Sequence, residues 1–413
     1  MDYAALKRSV AEDAAIRRRQ RLQPVGGQGD KIFPPTYPGE GRNAGPRHVF
    51  ERRRINGEDA WCVLVDSVQS QANRLEEALL GAAQDGSVAL PRIAVDFAAA
   101  GFNDLAEISS LDAPHRVFDA ILRDSLLGDQ PFMKSDTGQR LQTAKMSDAT
   151  AVFELSPTAL LFGAWNSTGE GGGLGAKFPR CLVSEIIAVN TPVEPSPPDA
   201  RGEVEARTAG RRTGSRIDPL GVLRKVEVWK SETGWDVTAQ GAGKGAKKAR
   251  PSEINHGNIA PSVQPLGVTC DYAEQTAVVT FAGLRRLRFG EAARSETARA
   301  ALAALGLLAL TEQDARGYAL RSRCDLVCEG GSAPLELIRF DGSAEQINLT
   351  RADARALYEQ AMAAAKAAGF HISAEPLKLT PQPKLVEIVR ESRRLALEGA
   401  GGEAEGEAAS ADA

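Results

Sequence analysis

Apolar positions along the chain change period at one informative place. In WCVLVDSVQSQANRLEEALLGAA, residues 61 to 83, the run WCVLVD is short, continuous and apolar, the signature of a buried strand. From there Val68, Ala72, Leu75, Leu79 and Leu80 recur at helical spacing, so the pattern predicts a strand feeding directly into a helix over 67–83. IAVDF at 93–97 reads as a short strand, and Val117, Phe118, Ile121 and Leu122 mark one face of a helix over 113–127. AVFEL from 151 predicts a strand, SPTALLFG a short helix, and CLVSEIIAV at 181–189 another strand. Farther on, strands are expected at 222–229, 235–238, near 266–270, 276–281, 318–328 and 335–340, with helices at 291–308 and 351–368. The mixture predicts an α+β fold.

Other stretches lack either period. Residues 17–54 are basic and rich in Pro and Gly, and predict a long, partly extended arm, so that 1–54 forms one segment and 55–380 the core. Insertions are expected at about 98–150, helical, and at 191–218 and 239–262, flexible and basic. A C-terminal helix and an acidic disordered tail account for 381–413.

Length and composition change this picture little: 413 residues with 43% apolar content supply a core of ordinary size. No run of eighteen apolar residues appears, and no apolar stretch follows the first charges, so neither a membrane span nor a secretory signal is indicated and a cytoplasmic protein is expected. The five cysteines, Cys62, Cys181, Cys270, Cys324 and Cys328, read as reduced thiols. The Cys324–Cys328 spacing suits neither a zinc knuckle nor a redox pair, and no metal or cofactor is expected.

Charge is informative only locally. The formal charge is −4, but five acidic residues and no basic ones lie from 398 onward. Residues 1–54 and 201–250 each hold twelve Lys or Arg against six Asp or Glu. Such patches matter more than net charge for a polyanion, because screening confines charge interactions to about 8–10 Å.

Two stretches carry candidate chemistry. STGEGGGLGAKFPR at 167–180 is rich in glycine, with Lys177 and Arg180 as its cations. It fails as a Walker loop, since Ala176 separates Gly175 from Lys177, Phe178 stands where a hydroxyl is needed, and Pro179 opposes a following helix. It fails as a dinucleotide fingerprint too, because a strand follows it. What remains is either a flexible linker or a loop whose bare backbone can approach a sugar-phosphate chain. At the other stretch, Ser67, Gln69, Ser70, Asn73 and Arg74 crowd the first turns of the 67–83 helix. Free N–H groups and the positive end of a helix dipole attract phosphate there. Plain capping by Asp66 or Ser67 with a solvated face explains the same residues.

CVLVDSVQSQANRLEEALL, FMKSDTGQR (132–140), ELSPTALLFGAWNST (154–168), RTGSRIDPLG (212–221) and LRSRCDLV (320–327) together resemble the backbone subunit of type I CRISPR effector (Cascade) complexes. The likeness is to the type I-G branch, formerly I-U, of the RAMP superfamily, and spans roughly residues 50–340. It implies a modified RRM-like (ferredoxin-like) palm with helical and β-hairpin insertions. It also implies a function: polymerising along CRISPR RNA and presenting the guide for pairing with target DNA, beside further copies of itself, a large subunit and a subunit that holds the guide end. On that resemblance Ser67, Gln69, Ser70, Asn73 and Arg74 lie against the guide, as does Arg140. Trp165, Asn166, Ser167, Thr168, Lys177 and Arg180 line the same groove, with Trp165 either a stacking face or a core residue. Arg211, Arg212 and Arg216 belong to a thumb-like insertion laid across a neighbour's guide.

Catalysis finds little support in the residues. A metal-free ribonuclease needs His or Lys as acid and base, and the chain has only His48, His115, His256 and His371. None shows a sequence partner. His256, in a polar loop, is the best of them, with RNA contact or a merely structural role expected ahead of catalysis. The resemblance implies a subunit that does not cut, and the alternative from another class is a RAMP-type endoribonuclease.

Overall fold

A computed structural model describes residues 1–39, 45–167, 175–195, 206–222 and 226–399. They divide into two units, Met1–Pro35 with Glu51–Thr191 and Cys270–Val386, and Thr36–Phe50 with Pro192–Thr269 and Glu387–Ala413. The chain is mixed α+β, and its large antiparallel sheet is that of an RRM-like palm carrying insertions.

The first unit is organised by a nine-stranded sheet. Its path runs Tyr318–Arg321, Cys324–Cys328, Ala15–Pro24, Tyr272–Thr280, Leu182–Val189, Glu58–Asp66 and Phe50–Ile55, and Leu335–Ile338 and Ala344–Ile347 extend it beside Ala15–Pro24. Ala15–Pro24 sits near the middle, antiparallel to Tyr272–Thr280 with Arg18 opposite Ala277 and Gln20 opposite Gln275. Side chains alternate between faces along a strand, so Ile16, Arg18, Gln20 and Leu22 are buried together while Arg19 and Arg21 face out.

The arm expected over 17–54 as a loop therefore begins inside the central strand Ala15–Pro24, which helix Tyr3–Glu12 precedes. Two of that strand's five inward positions are polar, Arg18 and Gln20, which hid the period of two.

Helices Val68–Gln84 and Ala292–Arg316 pack on the buried face. The first starts where predicted: Ser67 is its N-cap, its Oγ accepting from Ser70 N–H at 3.3 Å. Ala292–Arg316 is buried all round from Ala300 to Gln313, because it lies between the sheet and helix Arg351–Ala367. Gly306 permits that approach, since a Cβ there would stand 3.2 Å from Val279 Cγ2. Each leucine of this helix taken out of water stabilises the fold by about 1.5–3 kcal/mol, more than propensity supplies. The one deeply buried acid on it, Glu312, is held by Arg351 at 2.8 Å and Arg355 at 2.6 Å. A second, five-stranded sheet in this unit is closed by Leu377–Pro381, which runs parallel to Ile93–Asp96.

Several elements differ from expectation. The 113–127 helix is broken into Arg116–Phe118, Ala120–Arg123 and the strand Ser125–Leu127, because the Asp119 side chain caps a new start at Ile121 N–H. AVFEL is helical within Thr150–Leu155, a mostly buried stretch too short for its period to decide between strand and helix. No strand forms over 266–270; the strand lies earlier, at Ile259–Gln264.

The second unit consists of small antiparallel pieces: Val193–Pro195 with Ala206–Thr208, Arg212–Arg216 with Ile259–Gln264, and Val228–Ser231 between Gly234–Asp236 and Lys247–Ala249. The insertions expected as flexible loops at 191–218 and 239–262 thus each contain strands among the described residues. His48 is buried in this unit, its Nε2 accepting from Gly267 N–H at 2.9 Å. Most of the acidic tail, from 400 on, lies outside the described residues.

Candidate functional site

The helix start at 67 is built around a carboxylate. Asp66 ends strand Glu58–Asp66 and is fully buried. It accepts from Ser70 Oγ at 2.8 Å, Gln71 Nε2 at 2.7 Å, Arg74 Nε at 2.9 Å and Arg321 Nη2 at 3.1 Å. A buried carboxylate needs this much compensation. Arg74 also donates to the Leu320 carbonyl. Of the five residues singled out here, Ser70 and Arg74 thus face inward to Asp66, whereas Gln69 and Asn73 are exposed and Ser67 caps the helix.

From Asp66 a polar seam runs between sheet and helices. Gln71 links Asp66 to Gln275, whose Nε2 lies 2.7 Å from Gln71 Oε1, 3.1 Å from Ser184 Oγ and 2.8 Å from Gln313 Oε1. Arg18 Nη2 donates to Gln275 Oε1 at 2.7 Å, and its Nη1 pairs with Asp314. Every member bonds to another, although Arg18 Nε has no partner among the described residues, and the seam fixes how both helices sit on the sheet.

A cavity of about 640 Å³ opens elsewhere in the same unit. Its lining includes His115, Arg116, Trp165, Lys177, Arg180 and Arg286, four of them cationic, and contains no carboxylate among the described residues. Strand pieces Ala164–Trp165 and Lys177–Phe178 form a two-stranded hairpin with Trp165 opposite Lys177. Trp165 is 48% exposed, and Lys177 Nζ stands 4.4 Å from its ring centroid. Trp165 is therefore a surface tryptophan, not a core one.

Arg116 is the cavity's most constrained cation. Its backbone has φ 53°, a region L-residues rarely adopt. Its guanidinium is pinned by Glu76, Nε to Oε1 at 2.8 Å and Nη2 to Oε2 at 2.7 Å, and by the Gly163 carbonyl at 3.1 Å. Burial pushes the Glu76 carboxyl up to about 7, against the opposing pull of Arg116.

Arg180 lies beside this pair. Burial and the nearby Arg116 charge push its guanidinium below the usual arginine range, and its Nε is buried with no partner among the described residues. Gly163 makes room for it: φ is +85°, and a Cβ would stand 3.0 Å from Arg180 Cγ. Arg116 thus takes the Glu76 carboxylate and Arg180 feels it only through space, with two more cations in the lining, an arrangement suited to an anion.

Trp165, Lys177 and Arg180, expected to act together, are brought together. Asn166 is buried, its backbone N–H donating to the Ala176 carbonyl at 3.0 Å, and Ser167 is exposed. Thr168 and Gly171–Gly173 lie outside the described residues. Arg140 is elsewhere, paired with Glu154. Arg211, Arg212, Arg216 and His256 belong to the second unit, where Arg211 pairs with Glu194 and His256 meets the Trp235 ring edge-on at 5.6 Å.

Residues 16–193 match the family described as CRISPR-associated protein GSU0053. That match covers less than half of the chain, and there the chain is similar to this CRISPR-associated family. The matched segment holds Asp66, Arg74, Glu76, Arg116, Trp165, Lys177 and Arg180, while Arg286 and the strand Arg212–Arg216 lie beyond it. A comparison with curated proteins gives no match. Among the described residues no helix is long and apolar enough to cross a membrane, and no group of His, Cys, Asp or Glu side chains gathers to hold a metal ion.

Sequence reasoning missed Arg116, Glu76, His115 and Arg286 as members of the site. Arg116 sat within a supposed helix, and Glu76 looked like part of a solvated face. For Arg286 a signal existed, the basic run LRRLRFG at 284–290.

Proposed function

We infer that the chain is a non-catalytic CRISPR RNA-binding backbone subunit of a type I-G interference complex. It polymerises along the guide and presents it for pairing with target DNA, alongside a large subunit and a guide-end-holding subunit, in the cytoplasm. The observation that carries this reading is the cavity lined, among the described residues, by four cations and no carboxylate beside the half-exposed Trp165. Phosphates supply the missing negative charge, and their binding releases counterions. Bases stack on aromatic rings for about 1–3 kcal/mol each. In the second unit, Arg212 and Arg216 are exposed on a ribbon that also exposes Val263 and is followed by exposed Ile217, which supports a thumb-like contact with the guide held by a neighbouring copy.

A second reading, an endoribonuclease, draws on His115, which lines the cavity among the cations. One experiment separates the two. Incubated with guide RNA, a backbone subunit forms complexes in regular steps of mass and leaves the RNA uncut. An endoribonuclease gives defined fragments that vanish with His115→Ala or His256→Ala. Failure to bind guide RNA at all defeats both.

A further inference from the structure

The cavity between the Ala164–Phe178 hairpin and Arg116 is more than one stretch of a continuous basic surface. Arg180 Nε is buried and lacks a partner among the described residues, Arg116 has its donors committed to Glu76 and Gly163, and among the described lining residues no carboxylate pairs with Lys177, Arg180 or Arg286. An orphaned, charged donor in a half-buried position is costly unless an anion completes it. Trp165 stands at the same cavity with nearly half its surface exposed. Phosphate charge and a flat ring, recognised together within about 640 Å³, describe one nucleotide and not a run of them.

We propose that this cavity is a discrete single-nucleotide subsite, with one phosphate taken by Arg180, Lys177 and Arg286 and its base stacked on Trp165. The proposal rests on the RNA-binding reading for its biological ligand, but not for its chemistry. Arg116 is the positioning residue: pinned by Glu76, it holds the Gly163 carbonyl and keeps the hairpin at the cavity's edge. Lys177, now over the Trp165 ring, needs only side-chain rotation to reach a phosphate, because its exposed stem is free to turn.

The test uses the full chain and uridine 5′-monophosphate, read by tryptophan fluorescence, with guide RNA binding measured in parallel. Saturable quenching is expected, absent in Trp165→Phe, weakened at least tenfold in Arg180→Ala, and weakened similarly when uridine replaces its monophosphate. Arg180→Ala removes no side-chain hydrogen bond to a described residue, so it keeps the fold, which its melting curve verifies. No saturable quenching up to millimolar nucleotide, or equal affinity in Arg180→Ala, overturns the subsite. If guide RNA still binds in either case, the RNA-binding reading survives without it. If guide RNA fails to bind while the monophosphate binds as expected, the subsite stands and the RNA-binding reading falls.

Discussion

Arg74 donates from Nε to Oδ2 of Asp66 at 2.9 Å, and Asp66 has no exposed surface. A cation that the sequence aims at phosphate is thereby also the counter-ion of a buried carboxylate. Removing one partner of a buried pair commonly costs about 3–5 kcal/mol, but Arg321 remains on Asp66 and Arg74 is partly exposed. Arg74→Ala should therefore lower stability by roughly 2–3 kcal/mol, measured by urea unfolding. A change within error would mean that Arg321, Ser70 and Gln71 alone satisfy Asp66.

Gln275 joins five other polar side chains in the seam. Gln275→Leu keeps much of the volume but leaves Arg18 Nη2, Gln71 and Gln313 short of partners. Each buried group left unsatisfied costs about 1–3 kcal/mol, so a loss of roughly 3 kcal/mol or more is expected in the same unfolding experiment. A stable, well-packed variant would show that the seam tolerates an apolar core.

Legibility in the sequence followed from how closely polarity tracked burial. The strand and helix at 61–83 were readable because their apolar residues carry the period. Ala15–Pro24 was not, because Arg18 and Gln20 occupy inward positions and find most of their partners, Gln275, Asp314 and the Gly331 carbonyl among them, more than 250 residues away. At the site, Trp165, Lys177 and Arg180 are near neighbours in sequence and were found together. Arg116 and Glu76 were not, since their pairing over forty positions depends on the left-handed backbone at Arg116.

Glu76 gives the fold a pH dependence with a definite sign. Its folded value, about 7, exceeds the ordinary glutamate value of 4.5, so between those values the folded chain holds a proton that the unfolded chain has released. Stability from this group is present below pH 4.5 and is lost as pH rises through 7, with a slope of up to about 1.4 kcal/mol per pH unit. Glu76→Gln should flatten the urea midpoint between pH 5 and 7.5 relative to the wild type. A wild-type midpoint that instead rises relative to Glu76→Gln over this interval would show that Arg116 keeps Glu76 ionised throughout.

Gly163→Ala probes the cavity edge without touching a charge. At φ +85° a Cβ is strained, and it would press on Arg180 Cγ and on the Phe178 carbonyl 3.1 Å away. Destabilisation of about 1–2 kcal/mol is expected, with weaker RNA binding as Arg180 shifts. Unaltered melting and unaltered RNA binding would show that the hairpin yields freely.

The salt dependence of guide RNA binding addresses the central claim most directly. Deleting one cation that neutralises a single-strand phosphate lowers the slope of log affinity against log salt by about 0.7. The triple variant Lys177→Ala, Arg180→Ala, Arg286→Ala should reduce the slope by roughly 2 and weaken binding to guides of every sequence alike. An identical slope and affinity in a folded triple variant would place the guide elsewhere on the molecule.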